Sequence, residues 1–141
     1  MSAIPFPLEI VIAATPVSSQ ASATSRETWK KLIAESVRAR IYSLTDWYWL
    51  DERPAAVTIL YFSAASMQGD LDNIVKPILD GMTSIVYPDD RVVERLVVQL
   101  FEPEVPWLFE GPTSQLGLAL DMPPPVVYIR IDDDLRWRQV A

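Results

Sequence analysis

The chain contains no cysteine and no histidine. The first absence removes disulfides, thiolate zinc sites and cysteine nucleophiles; the second removes imidazole bases and imidazole metal ligands. Hydrolytic chemistry would therefore rest on carboxylates, lysine, hydroxyl groups or a hard cation held by oxygen. Basic residues are also scarce. Lys and Arg number 12 against 19 Asp and Glu, a formal net charge of −7. That balance repels a polyanion at long range, so a nucleic-acid role needs local basic patches together with bound metal. Long apolar runs are missing as well. Residues 8–14 are interrupted by Glu9, follow no basic segment and are far too short for a bilayer. Neither a signal peptide nor a transmembrane segment is expected, and the cytoplasm is the default compartment.

What is present is the composition of a folded domain, half apolar and 22% charged over 141 residues. A chain of this length fits one domain, residues 1–141, and buries roughly 68–70% of its unfolded surface. Strands are expected at residues 8–14, 56–62, 92–101 and 126–131, where branched apolar residues cluster between turn formers. A helix capped by Thr24 or Ser25 is expected over residues 26–43, with Trp29, Leu32, Ile33, Val37 and Ile41 as its apolar stripe. Residues 46–54 carry Trp47, Tyr48 and Trp49 and read either as a helix end or as an aromatic cluster closing the core. A short helix is expected near residues 114–120 in a proline-interrupted stretch. Helices and strands mix without a regular βαβ period, so the expected class is α+β, a mixed sheet of about four strands against two main helices.

The most specific chemistry lies between residues 70 and 90. A helix over residues 70–83 would put Leu71, Ile74, Val75, Ile78, Leu79 and Met82 on one face, with Asp72, Asn73, Lys76 and Asp80 opposite. Pro77 lacks the N–H that the Asn73 carbonyl would otherwise receive, which predicts a kink or a later helix start. Asp70 and Asp72 stand where free N–H groups and the helix dipole favour negative charge. Only one of them can be the cap, so the other needs a separate reason. Lys76 reads equally as an ordinary salt-bridge partner of Asp72 or Asp80, and Asp89 and Asp90 after Pro88 as turn formers. One chemical problem accounts for the whole group. Carboxylates from two chain segments hold Mg²⁺ or Mn²⁺ through oxygen, the metal activates water and stabilises the scissile phosphate, and a lysine adds a further positive charge.

The order Asp70-Leu71-Asp72-Asn73, Lys76, Asp80 and then Asp89-Asp90 ahead of Val92-Val93 resembles the RusA family of Holliday junction resolvases. Residues 16–20 after the first strand are similar to that family's N-terminal loop. The resemblance implies a RusA-like fold and a small homodimeric, Mg²⁺-dependent (or Mn²⁺-dependent) endonuclease that resolves four-way DNA junctions by paired symmetric nicks. It places the essential acids at Asp70, Asp72 and Asp90, with Asp89 as a possible assistant ligand, and the essential lysine at Lys76. Asp80 receives no catalytic role. Junction-binding members carry basic residues in the N-terminal loop, whereas here residues 18–24 contain none. Arg26, Lys30, Lys31, Arg38 and Arg40 on the first helix are then the candidate phosphate contacts, with a solvated helix face partly paired to Glu27 and Glu35 as the alternative. Two other readings stay open: a nuclease of the same fold acting on another branched nucleic acid, and a non-catalytic assembly module using the aromatic segments as an interface.

Overall fold

The computed structural model describes residues 3–67 and 69–140. Strands β1 (Leu8–Ile12), β2 (Ala55–Phe62), β3 (Val93–Phe101) and β4 (Val126–Asp132) form one sheet in the order β1-β4-β2-β3. β4 runs antiparallel to β1 and to β2, while β2 and β3 are parallel. The sheet is therefore mixed, and the class is α+β as expected. Parallel neighbours require a crossover between them. Here that crossover, residues 63–92, is the segment that carries every candidate acid and Lys76.

Alternation along the strands sorts the side chains into two layers. Leu8, Ile10, Ile12, Val57, Ile59, Tyr61, Val127, Ile129 and Ile131 are buried in one core, beneath helices α1 (Ala23–Leu44) and α2 (Val75–Met82). Trp29, Ile33, Val37 and Ile41, four residues apart, form the buried stripe of α1. The two helices meet at Gly81, where an added Cβ would stand 2.9 Å from Ile33 Cβ and 3.2 Å from the Lys30 carbonyl. The opposite sheet face packs Leu60, Phe62, Val126 and Tyr128 against a third helix, α3 (Ser114–Asp121). Phe62 stacks on Phe101 with ring centroids 4.9 Å apart, and Trp107 and Phe109 join them edge-on or tilted. Buried Glu9 fastens this layer, accepting hydrogen bonds from Tyr128 Oη and Thr113 Oγ1.

Several expectations are corrected. α1 begins earlier than residue 26, because Ser22 rather than Thr24 or Ser25 is its cap, with Ser22 Oγ accepting the Ser25 N–H at 3.1 Å. Leu32 lies one position off the stripe and is exposed. β1 ends at Ile12, short of residue 14. Trp47 and Trp49 do not pack into the core; both are exposed, and only Tyr48 turns inward, donating to the Ile85 carbonyl at 2.7 Å. An ion pair closes this end of the sheet instead. The Arg53 guanidinium donates to buried Asp51, to Asp133 and to the Ile4 carbonyl, and lies 4.3 Å from the Phe6 ring centroid.

Candidate active site

Pro77 decides the local structure of the acidic segment. Since it has no N–H, the α-helical ladder cannot reach back to the Asn73 carbonyl. The expected single helix over residues 70–83 is accordingly divided into a 3-10 helix, Leu71–Ile74, and α2, which starts at Val75. The released Asn73 carbonyl accepts the backbone N–H of Ser19 at 2.8 Å, and Ser19 Oγ lies 3.3 Å from Asn73 Oδ1. Asn73 in turn donates its N–H to the Asp70 carbonyl at 3.1 Å. Gly69 precedes this turn with φ +88°, a conformation that side chains disfavour.

Asp70 and Asp72 are thus carried on a tight turn instead of a regular helix. Asp70 is extended (φ −96°, ψ 138°), and its side chain makes no capping hydrogen bond. Both residues are exposed. A cleft of about 330 Å³ opens beside Asp70, bounded by Thr15, Pro16, Ser18, Tyr61 and Met67.

Lys76 and Asp90 are brought together. Lys76 Nζ donates to Asp90 Oδ2 at 2.9 Å and stands 3.0 Å from Asp80 Oδ1. The hydrogen bond to Asp90, followed by that to Asp80, holds the Lys76 pKa above its usual value. Asp80 also lies 3.9 Å from Lys30 Nζ, so it sits between two lysines. Behind the cluster, burial first and then the charges of Asp90, Asp80 and Asp89 push the Tyr87 phenol pKa upward. Its hydroxyl stays protonated and donates to the Leu79 carbonyl at 3.1 Å. Asp89 plays a different part, since its carboxylate accepts the Arg91 N–H at 2.9 Å and caps the 3-10 helix Asp90–Val92.

The Asp70 and Asp72 carboxylates have no hydrogen bond or ion pair with the Lys76 cluster among the described residues, and no three acidic side chains there converge as a metal-binding group. Mg²⁺ makes a smaller demand than a closed cage. It commonly keeps several waters and takes one or two carboxylates plus substrate phosphate oxygens. The exposed carboxylates of Asp70 and Asp72 fit that donor chemistry, as does the Asp90 oxygen that Lys76 leaves free.

The first-helix bases divide into separate groups. Arg26 Nη1 donates to the Ser19 carbonyl at 2.9 Å and is part of the fold around Asn73. Lys30 lies 3.4 Å from Glu27 and borders the cluster through Asp80. Lys31 and Arg38 are exposed on α1 with no polar partner among the described residues. Asp80 and Ser19 are the members that sequence reasoning left without a role. The Lys76 to Asp80 spacing was a visible signal for the first, and the missing N–H of Pro77 marked the acceptor that Ser19 fills.

The endodeoxyribonuclease RusA family matches residues 15–108, two thirds of the chain. The chain belongs to the RusA family. No curated protein matches it. The RusA match takes in the Ser19 loop, the 3-10 helices Leu71–Ile74 and Asp90–Val92, and Lys76, and it ends before α3 and β4. RusA membership supports a nuclease, and the α+β architecture is the RusA-like fold that the motif implied.

Proposed function

We propose that this chain is a Mg²⁺-dependent or Mn²⁺-dependent endonuclease that resolves four-way DNA junctions by paired symmetric nicks, acting as a homodimer in the cytoplasm. The observation that carries the reading is the pairing of Lys76 with Asp90, one turn after two exposed carboxylates that cap nothing. Asp70 and Asp72 would hold the cation, with Asp90 contributing its remaining oxygen. The bound metal supplies Lewis acidity and a water of lowered pKa.

The chain's own residues supply the rest. Lys76 is charged at neutral pH by the ordinary lysine pKa, and it is held by Asp90 and Asp80. It therefore acts as a fixed positive charge toward the phosphate and not as a base. Asp89 holds the turn that presents Asp90. One such site makes one nick, so two nicks related by the two-fold symmetry of a junction call for two copies of the chain. With Arg26 held by the Ser19 carbonyl and Arg40 by the Glu9 carbonyl, Lys30, Lys31 and Arg38 are left on α1 for phosphate contact. With so few, affinity should respond to salt with a shallow slope.

The test is incubation of purified protein with a synthetic four-way junction, a flap and a linear duplex, with and without Mg²⁺ or Mn²⁺. Paired nicks confined to the junction and dependent on metal are expected. Cutting of the flap in preference to the junction would support a nuclease for another branched substrate. No cutting of any substrate would support an assembly module.

A further inference from the structure

We infer that Ser19 and Arg26 are positioning residues of the candidate active site, acting through the Asn73 carbonyl that Pro77 leaves open. The inference rests on the nuclease reading for its functional half and on geometry alone for its structural half. A 3-10 helix of four residues has poorer hydrogen-bond geometry than an α-helix and gains little from its own backbone. The turn that carries Asp70 and Asp72 therefore depends on what holds it from outside.

Four hydrogen bonds in series provide that hold. Arg26 Nη1 reaches the Ser19 carbonyl at 2.9 Å, and the Ser19 N–H reaches the Asn73 carbonyl at 2.8 Å. Ser19 Oγ meets Asn73 Oδ1 at 3.3 Å, and the Asn73 N–H closes onto the Asp70 carbonyl at 3.1 Å. The loop is itself organised, with the Gln20 N–H on Ser18 Oγ at 3.0 Å and the Ala21 N–H on the Ser18 carbonyl at 3.0 Å. An Arg on α1 is thereby coupled to both acids across 44 residues or more of sequence, since Asp70 is bonded through Asn73 and Asp72 is its covalent neighbour. Arg26 is a base of the N-terminal region that stabilises the acids' backbone and does not need to touch DNA.

Pro77 is the switch in this arrangement. An alanine at residue 77 would restore an N–H to the helix, and its nearest acceptor in an α-helical ladder is the same Asn73 carbonyl. Ser19 would then compete for that acceptor with a helical donor, and the turn would be drawn toward α2.

The experiment uses the full chain and three variants, Arg26→Ala, Arg26→Lys and Pro77→Ala. Measured quantities are amide hydrogen exchange at Ser19, junction affinity against salt without divalent metal, and kcat and KM for junction cleavage with Mg²⁺. Arg26→Ala and Pro77→Ala are expected to speed Ser19 exchange about tenfold. They should lower kcat by about tenfold to a hundredfold while KM and junction affinity hold. Arg26→Lys should recover part of both losses. A weakened junction affinity with a salt slope reduced by about 0.9, at unchanged kcat, would make Arg26 a phosphate anchor and overturn the inference. Unchanged Ser19 exchange would overturn it as well. If the wild-type chain cuts nothing, the nuclease reading fails, and with it the functional half; Ser19 exchange still decides whether the clamp exists.

Discussion

Lys76 Nζ lies 2.9 Å from Asp90 Oδ2, although the two residues are 14 apart in sequence. The pair fastens α2 to the turn that enters β3, and Asp80 completes it at 3.0 Å. Replacing Lys76 by alanine should alter stability by less than about 1 kcal/mol, because the lysine side chain is 63% exposed and solvent screens the pair. Turnover should fall by about a hundredfold, with junction binding largely kept. Single-turnover rates and equilibrium binding measured on the same preparation check this; an equal loss in both would make Lys76 a DNA anchor.

Acid titration addresses a second pair. Trp137 Nε1 donates to Glu94 Oε2 at 2.8 Å, and Arg138 pairs with the same carboxylate, fixing the C-terminal segment to the start of β3. The Arg138 hydrogen bond, then that of Trp137, holds the Glu94 pKa at about 2. A carboxylate with a depressed pKa contributes its stabilisation above its unfolded pKa, and that contribution is lost as pH falls through the folded value. The indole N–H resonance of Trp137 should stay constant from neutral pH to the ordinary carboxylate range and move only as pH approaches about 2. A midpoint at the ordinary Glu value would contradict the latch.

The helix contact at Gly81 yields a prediction independent of chemistry. Alanine there puts its Cβ 2.9 Å from Ile33 Cβ and Cγ2 and 3.2 Å from the Lys30 carbonyl, closer than packed atoms stand. Overpacking of this kind costs about 1–3 kcal/mol, and α1 must shift away from α2. A lowered chemical-denaturation midpoint for Gly81→Ala is the expected result. An unchanged or raised midpoint, as the better helix propensity of alanine alone would give, would show that the two helices are not held this closely.

Much of this arrangement is legible in the sequence because it is local. The four-residue spacing of Trp29, Ile33, Val37 and Ile41 specifies the buried stripe of α1, and the proline at residue 77 announces the break in the acidic helix. Non-local partners are another matter. The Asp51 and Arg53 pair is local, but nothing in residues 46–54 reveals that Asp51 is buried and that Trp47 and Trp49 face solvent, since Arg53 is also held by Asp133 and Ile4 from distant segments. The same holds for Ser19: the sequence shows that the Asn73 carbonyl lacks its helical donor, but only the fold brings the loop across to supply one. Asp89 and Asp90 are neighbours with different roles, cap and lysine partner, a division set by the 3-10 helix between the turn and β3.

The central claim is that Asp70 and Asp72 serve metal-dependent cleavage and not the stability of their turn. The Asp72 carboxylate is exposed and has no hydrogen bond or ion pair among the described residues, its backbone carbonyl alone accepting the Val75 N–H. Asp72→Asn keeps its shape and removes one of two nearby negative charges, so its melting temperature should equal or exceed that of the wild type. The deciding measurement is single-turnover cleavage of a four-way junction across a Mg²⁺ titration, for wild type and Asp72→Asn, alongside their melting temperatures. A loss of about a hundredfold or more in rate with stability kept is the predicted result. Cleavage at the wild-type rate in a destabilised variant would contradict the claim.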